Sequence, residues 1–195
     1  MVKVGFVAEG ECDTFVLESN NFRKLAESLD IYVCPEIINA HGEGNLRYLN
    51  LIDFVNLCYD QAETPDKIIV LSDLETDPCV TEVKKRINPS GMADKIIVAR
   101  KALESWFLAD HEGLSRYLGK EFPIVEFPEQ TQVMPWDELR QRTISVNKRG
   151  IGQLKKAFAK KFVKTQEHFS LERAAQHPNC PSALYFLTAL QDLQV

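Results

Sequence analysis

Over its first hundred residues the chain alternates short apolar runs with longer stretches in which apolar residues recur at helical spacing. Residues 2–8 read as a strand. Residues 14–29 read as a helix with Asp13 as its cap, because Phe15, Leu17, Phe22, Leu25 and Leu29 recur roughly once per turn. Residues 31–39 are β-rich, and Pro35 within them suggests a sheet edge or a bend. The "HGEGN" stretch at 41–45 is a loop, and a second helix is expected over about 46–61. Residues 68–71 and 95–99 are two further apolar strands. Between them a helix runs from Pro78 to about Ile87, where "NPSG" at 88–91 ends it. Strands alternating with helices predict an α/β fold, a parallel sheet with helices on both faces.

The pattern then changes. "ALESWFLAD" at 102–110 reads as helical, with Trp106 and Phe107 as core aromatics, and 115–119 continues and stops it. Residues 120–135 carry Pro123, Pro128 and Pro135 and read as loop. Helical patterns follow at 136–144, 150–163, 169–176 and 181–192. The expected plan is an α/β domain over 1–118 and a small helical C-terminal subdomain over 119–195 packed on it.

Composition narrows the function classes. The 195 residues are 45% hydrophobic and 26% charged, enough to bury a sizeable core. A net charge of -5 argues against coating nucleic acid by bulk charge and leaves room for a local basic patch. The five cysteines are odd in number and form no CxxC pair, so free thiols in a reducing cytoplasm are expected. No apolar run approaches the roughly 20 residues that span a bilayer, and the N-terminus reads as a strand rather than a signal peptide.

Two acidic clusters abut apolar strands. "EGECD" (Glu9, Glu11, Asp13) follows the first strand, and "SDLETD" (Asp73, Glu75, Asp77) follows the third. In open parallel sheets functional groups collect at the carboxyl ends of strands, so the clusters converge if these strands are neighbours. Asp73 and Glu75, two apart, point the same way on extended backbone. Crowded carboxylates repel and their pKa values rise, and a hard divalent cation with oxygen ligands relieves them better. Mg²⁺ or Mn²⁺ is the expected cofactor, held by Glu9, Asp73 and Glu75, with Asp77 and Glu104 as further candidates. Glu11, Asp13 and Asp77 also suit plain surface and capping roles.

These residues resemble a known signature. A first strand ending in Glu-Gly ("VAEG", Glu9 and Gly10) and a later strand ending in two acids one residue apart ("VLSDLE") resemble the Toprim domain. That domain occurs in topoisomerases, bacterial primases and nucleases of the overcoming-lysogenization-defect group. Glu75 stands where those domains usually carry Asp, and its longer side chain shifts the position of a metal. Over nearly the whole chain the order of elements is similar to a Toprim-like family of unknown function encoded beside ATPase subunits in bacteria. The matching elements are "ESWFLAD" (104–110), "KRGIGQLKKAFAKKF" (148–162) and "CPSALYF" (180–186).

The resemblance implies a metal-dependent phosphoryl-transfer enzyme, a nuclease of a bacterial defence-type system with an ATPase partner. Glu9 would complete the metal site or act as general acid/base, and Lys101 would neutralise a phosphate oxygen. The stretch 148–164 carries Lys148, Arg149, Lys155, Lys156 and Lys160 without an acid, which suits phosphate contact, a solvated face or an acidic partner. Gly10 and Arg100 join these as candidate phosphate contacts. Two other readings stand beside the enzyme: a non-catalytic regulatory subunit of an ATPase, and a receiver-like phosphoacceptor using Asp73. His177 and Cys180 lack the second ligand pair that a zinc site needs.

Overall fold

The computed structural model describes residues 1–46 and 48–194. Arg47, inside the expected second helix, and Val195, at the end of the expected C-terminal subdomain, lie outside the described residues. Four strands, β1 (Val2–Ala8), β2 (Ile31–Asn39), β3 (Lys67–Asp73) and β4 (Lys95–Ala99), form a sheet of order β2-β1-β3-β4. Every neighbouring pair is parallel. The expected α/β architecture is therefore the observed one.

The strands are apolar along their length because both faces are covered. Phe6, Ala8, Ile69, Leu71, Ile97 and Ala99 enter one core, and Val7, Ile68, Val70, Ile96 and Val98 enter the other. This alternation is the two-residue period of the pleat. Helices α1 (Glu11–Glu18) and α2 (Asn20–Ser28) cover the first face. Helices α3 (Tyr48–Tyr59) and α4 (Val80–Ile87) cover the second. The periodicity had run α1 and α2 together. Ser19 divides them: its backbone is extended and its Oγ accepts the Phe22 N–H at 3.2 Å, capping α2. Pro35 falls where the β1–β2 register shifts, on an edge strand.

Beyond β4 the chain is helical: α5 (Glu104–Ala109), α6 (His111–Leu118), α7 (Pro135–Val146), α8 (Lys155–Phe162), α9 (Leu171–Gln176) and α10 (Pro181–Gln191). Helix α8 begins later than the periodicity suggests, because Gly150 and Gly152, at φ of 53° and 85°, hold the preceding turn in the left-handed region. The helical part shares the core on the α1–α2 side, where Phe186 stands 5.6 Å from Phe22 and 5.7 Å from Trp106, ring centre to ring centre.

Polar contacts lock these helices. The Trp106 indole N–H donates to Ser182 Oγ at 2.7 Å, and the Ser182 hydroxyl donates to Glu129 Oε1 at 2.5 Å. Buried Asp110 accepts N–H bonds from Gly113 and Ser170, both within 2.9 Å, and pairs with Arg173 Nε at 2.7 Å. A Cβ on Gly113 would stand 2.5 Å from Asp110 Oδ2 and 2.7 Å from the His168 carbonyl, so this close approach requires glycine. Among the described residues no helix is long and apolar enough to cross a membrane, and all five cysteines are free.

Removing one partner of a buried ion pair leaves the other charge uncompensated. Asp110→Ala is therefore expected to destabilise the protein by about 3–5 kcal/mol in urea unfolding. An unchanged midpoint would show that Asp110 does not anchor α6 to α9.

Candidate functional site

The strand order creates a switch point between β1 and β3. From β1 the chain moves outward to β2, then returns across β1 to β3 and continues to β4. Loops leave the sheet in opposite directions there, and the crevice opens at the carboxyl ends of the strands. Glu9 follows β1, Asp73 ends β3, Asp13 lies in the first turn of α1, and Glu104 opens α5. Glu9, Asp13 and Glu104 are 7%, 4% and 1% exposed, and Asp73 is half-buried.

Local structure aims each carboxylate. Glu9 Oε2 accepts the Ser72 hydroxyl at 2.6 Å and the Asp73 N–H at 3.0 Å, which ties the end of β1 to β3. Asp73 Oδ1 accepts the Leu103 N–H at 2.9 Å, which ties β3 to the start of α5. Asp13 Oδ2 accepts the Gly10 N–H at 2.9 Å from the third position of α1, so Asp13 closes a capping box and Gly10 is the cap. Asp13 Oδ1 and Glu104 Oε2 are buried with no hydrogen-bond donor. Lys155 Nζ stands 2.9 Å from Glu104 Oε1, a charge-assisted pair.

The four carboxylates feel one another. Burial, then the Glu9 charge, pushes Asp13 up to about 8 despite its bond from Gly10. Burial raises Asp73 well above the carboxylate range, and Asp13, Glu104 and Glu9 add to the effect. Burial also raises Glu9, opposed by the Ser72 and Asp73 hydrogen bonds and reinforced by Glu75 and Glu43. The Cys12 thiol is pushed up to about 12 by burial and by Glu104, which leaves it un-ionised and inert at neutral pH. Lys155 is raised in spite of its own burial, because Glu104 and Asp73 favour the ammonium.

The other residues singled out from the sequence are placed differently. Glu75 is exposed, at φ 49°, near enough to raise Glu9 but outside the buried group. Asp77 pairs with Arg86 at 2.8 Å, which lowers its carboxyl, and Arg86 also holds Glu43 at 2.6 Å. Lys101, at φ 64°, donates its ammonium to the Thr131 and Val133 carbonyls, so it anchors a loop instead of facing the crevice. Arg100 is exposed, and its N–H reaches Ser182 Oγ at 3.2 Å. The basic stretch is divided. Lys155 and Lys156 pair with Glu104 and Glu11, each at 2.9 Å, and Lys160 lies over the Phe15 ring at 5.7 Å. Lys148 and Arg149 are exposed in the turn before α8.

Two members of the group combine roles that the sequence leaves apart. Asp13 is at once in the acidic cluster and in the cap, but from the third helical position with Gly10 as the N-cap. For Lys155 the sequence leaves phosphate contact, a solvated face and an acidic partner open, because the acid it meets lies 51 residues earlier in the chain. Of the expected trio Glu9, Asp73 and Glu75, the first two meet through the Asp73 N–H on Glu9 Oε2, and Glu75 stays exposed. Even so, among the described residues no three carboxylate, thiol or imidazole groups are arranged to hold a metal ion. Comparison with known proteins returns no significant match to a family model, a curated protein or a solved structure.

The raised carboxyls have a consequence for stability. A group that ionises near pH 8 when folded and near pH 4 when unfolded binds more protons in the native state between those values. Its stabilising contribution is complete below about pH 4 and is lost as pH rises towards about 8. Asp13→Asn keeps an acceptor for the Gly10 N–H and removes the titration. Without metal, its unfolding free energy should fall less steeply than that of wild type from about pH 5 to about pH 8. Parallel declines would show that Asp13 ionises normally.

Proposed function

We propose that this chain is a metal-dependent phosphoryl-transfer enzyme, with nucleic-acid cleavage as its reaction. One observation carries the reading: Glu9, Asp13, Asp73 and Glu104 gather at the switch point beside the Lys155 ammonium, and buried Asp13 Oδ1 and Glu104 Oε2 have no hydrogen-bond donor. An all-oxygen donor set of this kind suits Mg²⁺ or Mn²⁺. Asp13, Asp73 and Glu104 are the residues that would hold the ion, after side-chain adjustment, since no three ligands are preassembled. When bound, such an ion polarises a phosphoryl oxygen and offsets the charge that builds in the transition state.

The remaining roles follow from the chain's own groups. Glu9 is fixed by Ser72 and Asp73 and has a raised carboxyl, which suits a group that gives and takes a proton. Arg100, Lys148 and Arg149 are exposed and placed to meet substrate phosphates. A Toprim-type nuclease acting with an ATPase partner fits this arrangement.

A second reading, a non-catalytic subunit of an ATPase, is favoured by one specific contact. Lys155 already compensates Glu104, so the group holds together as an ion network without a metal. The phosphoacceptor alternative gains nothing, because Asp73 lies among Asp13, Glu104 and Glu9 and is no lone exposed acceptor.

Labelled DNA and RNA incubated with Mn²⁺ separate the first two readings. Cleavage is expected with wild type, and Asp73→Asn should lose about a hundredfold or more, a loss typical when a group that stabilises transition-state charge is removed. Metal at about 100 times its dissociation constant should also stabilise wild type by roughly 2.7 kcal/mol, and Asp73→Asn by much less. Equal stabilisation of both proteins, with no cleavage of either substrate, would leave the regulatory reading.

A further inference from the structure

Lys155 is the basic side chain that the fold inserts among the buried carboxylates. Its partner Glu104 is 1% exposed, whereas the Lys155 side chain is 41% exposed and leads out to solvent. The two groups meet at 2.9 Å through Glu104 Oε1, and Glu104 Oε2 is left without a donor. The Lys155 stem gives its ammonium a path to water, whereas the carboxylate has none, so Glu104 is left uncompensated unless another cation takes the place of Lys155.

Helix α8 does not depend on this contact for its position. Phe158, Ala159 and Phe162 are buried in the core, Lys156 pairs with Glu11 at 2.9 Å, and Lys160 lies over Phe15. Release of Lys155 is therefore a swing of one side chain, with the helix left in place.

We infer that Lys155 is a tethered competitor of the divalent cation: its ammonium and the cation share the Glu104 carboxylate, and the cation binds by displacing it. This rests on the proposed function only in taking the carboxylate cluster to be a divalent-cation site. Lys155 then sets the affinity of that site and keeps the buried carboxylates compensated when no cation is present. Exchange of a single positive charge for a double one among four carboxylates supplies the driving force.

The test is Mn²⁺ titration calorimetry at about pH 8.5, where protonation of carboxylates competes least with the metal. Lys155→Gln should bind Mn²⁺ about tenfold or more tightly than wild type, within the range of ordinary coupling between sites. Lys155→Arg, which keeps the charge, should stay within about twofold of wild type, and so should Lys156→Gln. Displacement is also read on the unaltered protein. Saturating Mg²⁺ should raise the rate of reductive methylation of Lys155 several-fold by mass spectrometry and leave exposed Lys164 unchanged.

If wild type binds Mn²⁺ and Lys155→Gln binds it no more tightly, competition is overturned while the cation site stands. If wild type does not bind but Lys155→Gln does, competition is upheld and the enzyme reading of the wild-type chain fails. Binding by neither protein overturns both. Should Lys155→Gln not fold, the labelling decides: faster methylation with Mg²⁺ upholds displacement, and an unchanged or slower rate overturns it.

Discussion

A parallel sheet buried on both faces leaves few places for charge, and this molecule uses the carboxyl edge of its strands. Side chains along β1, β3 and β4 alternate between two apolar cores, so a carboxylate within a strand would have no water and no partner. Past the last ladder bonds, backbone N–H groups become available as donors. Glu9 takes one from Asp73, Asp73 takes one from Leu103, and Asp13 takes one from Gly10. The acidic group is thus held by the same backbone that ends the strands, and the order β2-β1-β3-β4 brings its members together.

Those loops are conformationally demanding. Glu75 and Lys101 both lie in the left-handed region, at about 1–2 kcal/mol each for a residue with a Cβ, and the Glu75 N–H bonds the Lys101 carbonyl at 2.6 Å. Neighbouring Leu74 donates to Ala99 at 2.9 Å, so the paths leaving β3 and β4 are stitched together beside the carboxylates. Such strain concentrates where a loop must present groups in one geometry. The ammonium of Lys101 extends the arrangement by holding the 131–133 segment against it.

The helical part does more than cover one sheet face. Its aromatics continue the core begun by Phe6 and Phe22, and its Asp110–Arg173 pair binds the end of α5 to α9. Helix α8, fixed by Phe158 and Phe162, carries Lys155 to Glu104 and Lys156 to Glu11. The charge balance of the carboxylate group therefore depends on a segment more than fifty residues away in the chain.

The sequence by itself determined the architecture, because two-residue and helical periodicities are local properties that burial imposes directly. The bounds of β1, β2 and β4, Pro35 at an edge, and Trp106 and Phe107 in the core were legible for that reason. So was the convergence of Glu9 and Asp73, once their strands were taken as neighbours. Ser19 as a helix break was not, since the apolar spacing runs through it and one side-chain bond makes the division. Tertiary structure alone decided which charges meet. Asp77 found Arg86, Lys101 found two carbonyls, and Asp13 was buried with one oxygen on the Gly10 N–H. Lys155 belongs to a run of like charges whose compensating acids lie on α1 and α5. Charge pairing is set by distance in space, and the packing of α8 on α5, with Phe158 and Phe162 against Phe107, brings Lys155 to 2.9 Å from Glu104.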